Sequence, residues 1–308
     1  MREAVELEAT ERTSDQGVLG AIGQKLGDYL VLSKARLSLL VLSSGLVGFW
    51  LASGSSPDLK RLSFFGLGAL LVIAGANALN EVAERYQDRL MERTARRPLP
   101  AGRMGVREAT IAASLMSGVG LAILLWWTNV LTAALAALAL VVYVLVYTPL
   151  KRLTHWSTFA GAVSGAIPTL MGWSAVTNGL GQPAWILFGI LFLWQFPHTW
   201  AIASTYREDY ARVGYLVLPL VDARGIRTRT QMIAFCLALI GVSVLPAVTG
   251  VAGSVYLVGA LLMGVVLLGY GVRFGAGRSR RLAIQLMAAT LVYMPVLLTL
   301  LVLDKRSF

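Results

Sequence analysis

From residue 36 onward the chain alternates between long apolar runs and short polar interruptions. The runs occupy 36–53, 62–81, 106–127, 129–147, 157–177, 182–203, 230–249, 252–272 and 282–303. Each is close to the roughly 20 residues a helix needs to cross a hydrocarbon layer about 30 Å thick. A backbone in lipid must satisfy its own hydrogen bonds, so the runs predict helices gathered into one bundle. The expected fold is all-α: a polytopic membrane helical bundle of about nine transmembrane helices, with residues 25–308 as a single transmembrane domain. Residues 1–24 read differently. They carry Glu3, Glu6, Glu8, Glu11 and Asp15 without an apolar core, as expected of a mobile cytoplasmic tail. They resemble neither a secretory signal nor an Arg-rich transit peptide, which favours a bacterial cytoplasmic (inner) membrane.

Composition supports the membrane reading. The 308 residues are 56% hydrophobic and only 14% charged, where a soluble protein carries about a quarter. The net charge of +11 would suit nucleic acid if it lay on one surface. It is instead divided by side. With the N-terminus in the cytoplasm, 23 of the 27 Lys and Arg fall on that face, leaving Lys60, Arg61, Lys305 and Arg306 opposite. This is the positive-inside pattern, so the partner it implies is the lipid bilayer and no nucleic acid. Cys236 is alone, inside an apolar run, which excludes an internal disulfide and a Cys-rich zinc site.

The polar residues that remain are concentrated. Five of the 16 acids lie in the tail and six in two places: Glu81, Glu84, Asp88 and Glu92 after the second run, and Glu208 and Asp209 after the sixth. Four spans separate the two places, as if each half of the chain supplied an acidic stretch to one shared site. Asn80, Glu84 and Asp88 are spaced i, i+4, i+8, which on a helix puts them on one face about 6 Å apart. Arg93, Arg96 and Arg97 follow. Hard divalent cations prefer carboxylate, amide and phosphate oxygens, and arginine forks onto phosphate. The pattern therefore points to a cation gripping a phosphorylated ligand at the membrane boundary. A plain solvated helix end, with Glu81–Arg85 and Glu92–Arg96 ion pairs, is the alternative. It leaves the repulsion between Glu84 and Asp88 unexplained.

In the second stretch, 194–219, Glu208 or Asp209 can complete a metal position and Arg207 can reach phosphate. An ordinary interfacial belt competes with that reading there. Lys34 and Arg36 precede the first run, and Lys151 and Arg152 follow the fourth; most such residues are topology anchors, and one or two at a site can reach a diphosphate. His198 is a candidate for a haem iron or a carboxylate, against a ring satisfied by a neighbouring helix. Trp50, Trp126, Trp127 and Trp185 read as belt residues.

Asn80 to Pro100 resembles the first aspartate-rich motif of the UbiA superfamily of intramembrane prenyltransferases. Its continuation MERTARRPLP resembles the haem O synthase branch. So do WQFPH with YREDYARVGYLVLP, YTPLKR, GAVSGAIPTLMGW at 161–173, and Tyr293-Met294-Pro295. The likeness runs over about 25–304. Glu84 stands where the superfamily more often has Asp, Tyr86 where many branch members carry another acid, and Ala35 where a proline is common. Glu208-Asp209 replaces a pair of acids one turn apart. The resemblance implies a UbiA-like prenyltransferase fold and transfer of farnesyl from farnesyl diphosphate to a vinyl group of haem b, giving haem O and diphosphate. It implies Mg2+ on Asn80, Glu84, Asp88 and Asp209, with Glu208 beside them. Lys34, Arg36, Arg93, Arg97, Lys151 and Arg207 would meet the diphosphate, Tyr147 and Tyr206 the substrates, and His198 the porphyrin. It admits haem A synthase or a terminal oxidase assembly as a partner. Prenylation of an aromatic quinone precursor, a cation-coupled transporter and a structural subunit are the competing readings. Acids gathered at one membrane face disfavour transport.

Overall fold

A computed structural model describes residues 20, 23–54 and 56–306, so the expected tail at 1–24 falls almost wholly outside the described residues. Among the described residues, nine helices are long and apolar enough to cross a membrane: α1 Ala35–Ala52, α2 Leu59–Leu90, α3 Val106–Trp127, α4 Val130–Leu153, α5 Ser157–Thr177, α6 Gln182–Thr205, α7 Ile226–Val248, α8 Ser254–Gly277 and α9 Arg280–Leu303. The described residues contain no β-strand, only an isolated bridge between Ala252 and Lys305. Lys305 also donates to the carbonyls of Trp50 and Ser53, tying the chain's end to the end of α1.

Every expected span is a helix, but several run further. The second was expected to stop at 81 and continues to Leu90. Apolar content marks where lipid ends, whereas the hydrogen-bond ladder continues through good helix formers such as Ala83, Glu84 and Arg85. This extension carries Asn80, Glu84 and Asp88 as one helical face.

Between helices in lipid there is little hydrophobic drive, so close approach of backbones does the packing. A Cβ on Gly45 of α1 would lie 3.0 Å from the Pro168 carbonyl of α5, and one on Gly172 of α5 would overlap the Gly45 carbonyl. Likewise a Cβ on Gly68 of α2 would sit 3.0 Å from the Gly120 carbonyl of α3. In the second half, Tyr293 and Tyr256 are fully buried and meet at Ser243: its hydroxyl pairs with the Tyr293 phenol at 2.9 Å, and its carbonyl accepts from Tyr256 at 2.8 Å. The Tyr-Met-Pro segment is thus a cross-link of α7, α8 and α9. Trp50, Trp126, Trp127 and Trp185 are exposed, as belt residues should be.

Before α1, a helical segment at 23–32 packs over the loop that follows α2. Leu32 is buried with Ala78, Leu99 and Met104, Arg103 pairs with Asp28 at 3.0 Å, and the Tyr29 phenol donates to Glu108 at 2.8 Å. The segment breaks at Lys34, which adopts φ 48°. A lysine held in the left-handed region is strained, and such strain persists where neighbours over-determine it.

Candidate active site

The last turns of α2 are polar yet buried. Asn80, Glu81 and Asp88 are each at most 1% exposed, and Glu84 is 7% exposed. Buried charge demands partners, and three cations supply them. Lys34 donates to Asn80 Oδ1 at 2.7 Å. Lys151 holds both oxygens of Glu84, at 2.7 and 2.9 Å. Arg97 donates to Asp88 Oδ2 at 2.6 Å. The left-handed turn at Lys34 places this side chain against α2. Burial, then the nearby Arg97 charge, hold its ammonium down to about 8.

Asparagines fasten the frame. Asn80 Nδ2 donates to Thr148 Oγ1 at 3.0 Å and Asn77 Nδ2 to Ser38 Oγ at 3.0 Å, joining α2 to α4 and to α1. Within α4, residues Val142–Tyr147 widen into a π-helical stretch. Pro149 has no N–H to continue the ladder, and Thr148 Oγ1 bonds back to the Tyr143 carbonyl at 2.8 Å. The stretch presents Tyr143 and Tyr147 as a stacked pair, with Lys151 Nζ 4.5 Å from the Tyr147 ring.

Below the charges lies a cavity of about 200 Å³. Its wall includes Val72, Ile73, Ala76, Tyr143, Tyr147 and Gln195. The face of α2 that lines it continues, in steps of four, through Ala76, Asn80, Glu84 and Asp88. An apolar slot thus ends in a charged mouth, which suits a ligand with an anionic head and an apolar tail.

The two acidic stretches do meet. Asp209 Oδ1 accepts from the Glu92 backbone N–H at 3.1 Å, and Arg212 donates to the Leu90 carbonyl at 3.1 Å. Leu216 N–H reaches the Lys151 carbonyl at 2.7 Å. Lys34, Asn80, Glu84, Asp88, Arg97, Tyr147 and Lys151 are gathered at the mouth, with Asp209 joined to them through the start of the loop. The others lie elsewhere. Arg36 is exposed on the first turn of α1. Arg93 sits 4.7 Å over the Tyr206 ring. Tyr206, Arg207 and Glu208 line a second cavity. His198 turns to α9, its Nδ1 2.8 Å from Thr290 Oγ1 and its ring stacked on Trp194.

Neither ion pair of the solvated-helix alternative forms. Glu81 points inward to Arg97 Nε at 3.9 Å, while Arg85 donates to the Val82 carbonyl. Glu92 meets Arg212, not Arg96, at 3.7 Å, because α2 has ended at Met91 and the i, i+4 geometry with it. Sequence reasoning missed Glu81, Asn77, Thr148 and Tyr215. Both oxygens of Glu81 and the Tyr215 phenol are buried with no hydrogen-bond partner. Orphaned polar atoms gathered at one place call for a ligand or ion.

Among the described residues no three His, Cys, Asp or Glu side chains converge as a ready metal cluster. The donor chemistry nonetheless fits a hard cation. The face is rich in oxygens, Arg97 occupies just one oxygen of Asp88, and Glu81 beside it accepts no hydrogen bond and meets Arg97 Nε only at 3.9 Å.

A membrane helical bundle in which buried carboxylates and cations crown an apolar slot is built for an amphiphilic, phosphorylated substrate. The chain belongs to the UbiA prenyltransferase family, whose model matches residues 41–303. It is similar to the protoheme IX farnesyltransferases of Solibacter usitatus, at 41% identity over 90% of this chain and 98% of that one, and of Salinibacter ruber, at 43% over 91% and 99%. The fold is that of a solved UbiA homologue from Archaeoglobus fulgidus bound to GPP and Mg2+, with a TM-score of 0.66 and 14% identity over 89% of this chain and 99% of that one. A digeranylgeranylglyceryl phosphate synthase structure matches with a TM-score of 0.75 and 18% identity, over 91% and 98%.

Proposed function

We infer that this chain transfers the farnesyl group of farnesyl diphosphate to a vinyl group of haem b, giving haem O and diphosphate. The observation that carries the reading is the single face of α2 that passes from the apolar cavity at Val72 to the charged mouth at Asp88. Family membership and the names of the relatives supply the reaction class and the acceptor.

Charge balance supports a metal in addition. Glu81, Glu84 and Asp88 face Lys34, Lys151 and Arg97, three carboxylates against three cations. Such a site is near neutral, so a diphosphate brought into it needs further positive charge. Mg2+ held by Asn80, Glu84, Asp88 and Asp209, with Glu81 beside them, would supply that charge and stabilise the departing diphosphate. Lys34, Lys151 and Arg97 would turn from Asn80, Glu84 and Asp88 to the phosphate oxygens. The slot would hold the farnesyl tail and keep water from the allylic cation until the vinyl group attacks. Water then adds to the resulting cation and loses a proton, leaving a hydroxyethylfarnesyl group.

The charge distribution supports a cytoplasmic N-terminus in a bacterial inner membrane, with the mouth on the cytoplasmic side. The test is purified protein with haem b, farnesyl diphosphate and Mg2+, the product read by mass. Haem b enlarged by one farnesyl and one hydroxyl group is expected. Unchanged haem beside prenylated 4-hydroxybenzoate would transfer the reading to quinone precursors.

A further inference from the structure

A second cavity, about 430 Å³ and polar, lies beside the mouth and shares no lining residue with the apolar slot. Four arginines wall it: Arg207, Arg212, Arg278 and Arg280. Arg212 is spoken for, within 3.7 Å of Glu92 and 3.5 Å of Asp209. The other three meet main-chain carbonyls only. Arg207 donates to Pro219 at 3.2 Å, Arg280 to Thr205 at 3.3 Å, and Arg278 to Asp222 at 2.9 Å and Ala223 at 3.1 Å. Among the described residues no carboxylate lies within ion-pair distance of these three, although Glu208 also borders the cavity. A carbonyl satisfies part of a guanidinium and leaves its charge unmatched. Three such groups around one cavity make a receptor for paired oxyanions, since the guanidinium fork matches a carboxylate edge to edge.

We propose that this cavity receives the two propionate carboxylates of the haem acceptor. The proposal rests on the reading of haem b as acceptor. In protohaem the vinyl groups and the propionates occupy opposite halves of the macrocycle. Propionates anchored among Arg207, Arg278 and Arg280 therefore direct the vinyl half away from the cavity. The two sites are adjacent: Glu92 lines the second cavity and lies four positions past Asp88, and Asp209 joins the two through the Glu92 N–H. Tyr206, with Arg93 over its ring, forms part of the intervening wall. Arg207 thereby leaves the diphosphate set and becomes an acceptor ligand.

The experiment compares haem b with its dimethyl ester, in which both carboxylates are masked, in the unaltered enzyme and in Arg207→Gln and Arg280→Gln. The unaltered enzyme should prefer the free acid in kcat/KM by about tenfold to a hundredfold, the usual worth of a charge-assisted pair. Each variant should raise KM for haem, shrink that preference, and keep KM for farnesyl diphosphate within about twofold. The ester comparison in the unaltered enzyme decides alone if the variants do not fold. Equal use of haem and ester would overturn the proposal. So would an arginine effect that appears only in nanodiscs containing phosphatidylglycerol, which would assign the cavity to a lipid headgroup. Failure of the acceptor reading looks different: no haem is converted at all.

Discussion

Lys151 and Glu84 offer the sharpest test of how the mouth is built. Lys151 Nζ holds both Glu84 oxygens, and the two side chains are only 14% and 9% exposed. Lys151→Met keeps the length of the stem and removes the charge. Glu84 is then a buried carboxylate without its main partner, and breaking such a pair costs about 3–5 kcal/mol. At roughly 2 °C per kcal/mol for a chain of this size, the midpoint of unfolding should fall by about 6–10 °C. Glu84→Gln should also destabilise, because it strands the ammonium. The double variant should regain about 1–3 kcal/mol relative to the sum of the singles, since neither charge is left alone.

The assay is thermal unfolding of purified protein in one detergent, beside farnesyl transfer measured on the same samples. Stability and activity should separate. The double variant should recover its midpoint and stay inactive, because in the proposed mechanism both the carboxylate and the ammonium serve the diphosphate. Additive losses in the double variant would mean that the pair contributes nothing to the fold. A double variant that regains turnover would refute the assignment of these groups to the substrate.

Three further outcomes follow from the same geometry. Asp88→Asn keeps the shape and should abolish transfer, by a factor of about 100 or more, while the bundle stays folded by circular dichroism; full activity would contradict the cation assignment. Lys34 has an ammonium held down to about 8, and a bound diphosphate favours its charged form, so affinity for farnesyl diphosphate should be flat below pH 8 and fall as pH rises through that value. Lys34→Arg should flatten that profile, and a parent enzyme with no change between pH 7 and 9 would sink the idea. His198→Ala should lower stability by about 0.5–1.5 kcal/mol through the lost Thr290 bond and leave haem affinity unchanged, whereas loss of haem binding in a spectral titration would restore the ring as an iron ligand.

Much of this architecture was legible because lipid makes a blunt demand. A run of about twenty apolar residues has few options, so nine spans and the asymmetry of Lys and Arg emerged without a structure. The acidic face of α2 was legible for a related reason: three oxygen-bearing side chains at a spacing of four share a helix face whatever surrounds them. What stayed hidden depends on which face turns inward. Glu81 lies one position from Asn80 and has a part in the sequence only as the ion-pair partner of the solvated-helix alternative, yet it is fully buried and faces Arg97. Its neighbour Ala78, also fully buried, shows that this side of α2 is covered by Leu32 and by the loop carrying Leu99 and Met104. That cover comes from chain on both sides of α1 and α2, and no local periodicity announces it.

The same limit explains the arginines. By sequence alone, Arg97 and Arg207 are equivalent: each lies beside an acidic stretch at the end of a span and each can reach phosphate. Their acceptors separate them. Arg97 is drawn onto Asp88 at 2.6 Å, inside the mouth, whereas Arg207 spends its contact on the Pro219 carbonyl and lines a different cavity. A charge read from sequence states what a residue can bind, and only the backbone around it decides which ligand it meets. For a substrate pair as unlike as a prenyl diphosphate and a porphyrin dicarboxylate, that division has a physical use. If both anions shared one set of cations, each would weaken the other's binding, and the attack would require bringing like charges together. Two sets of cations on either side of residues 88–93 let both anions be held at once, with the uncharged reacting groups left to approach each other.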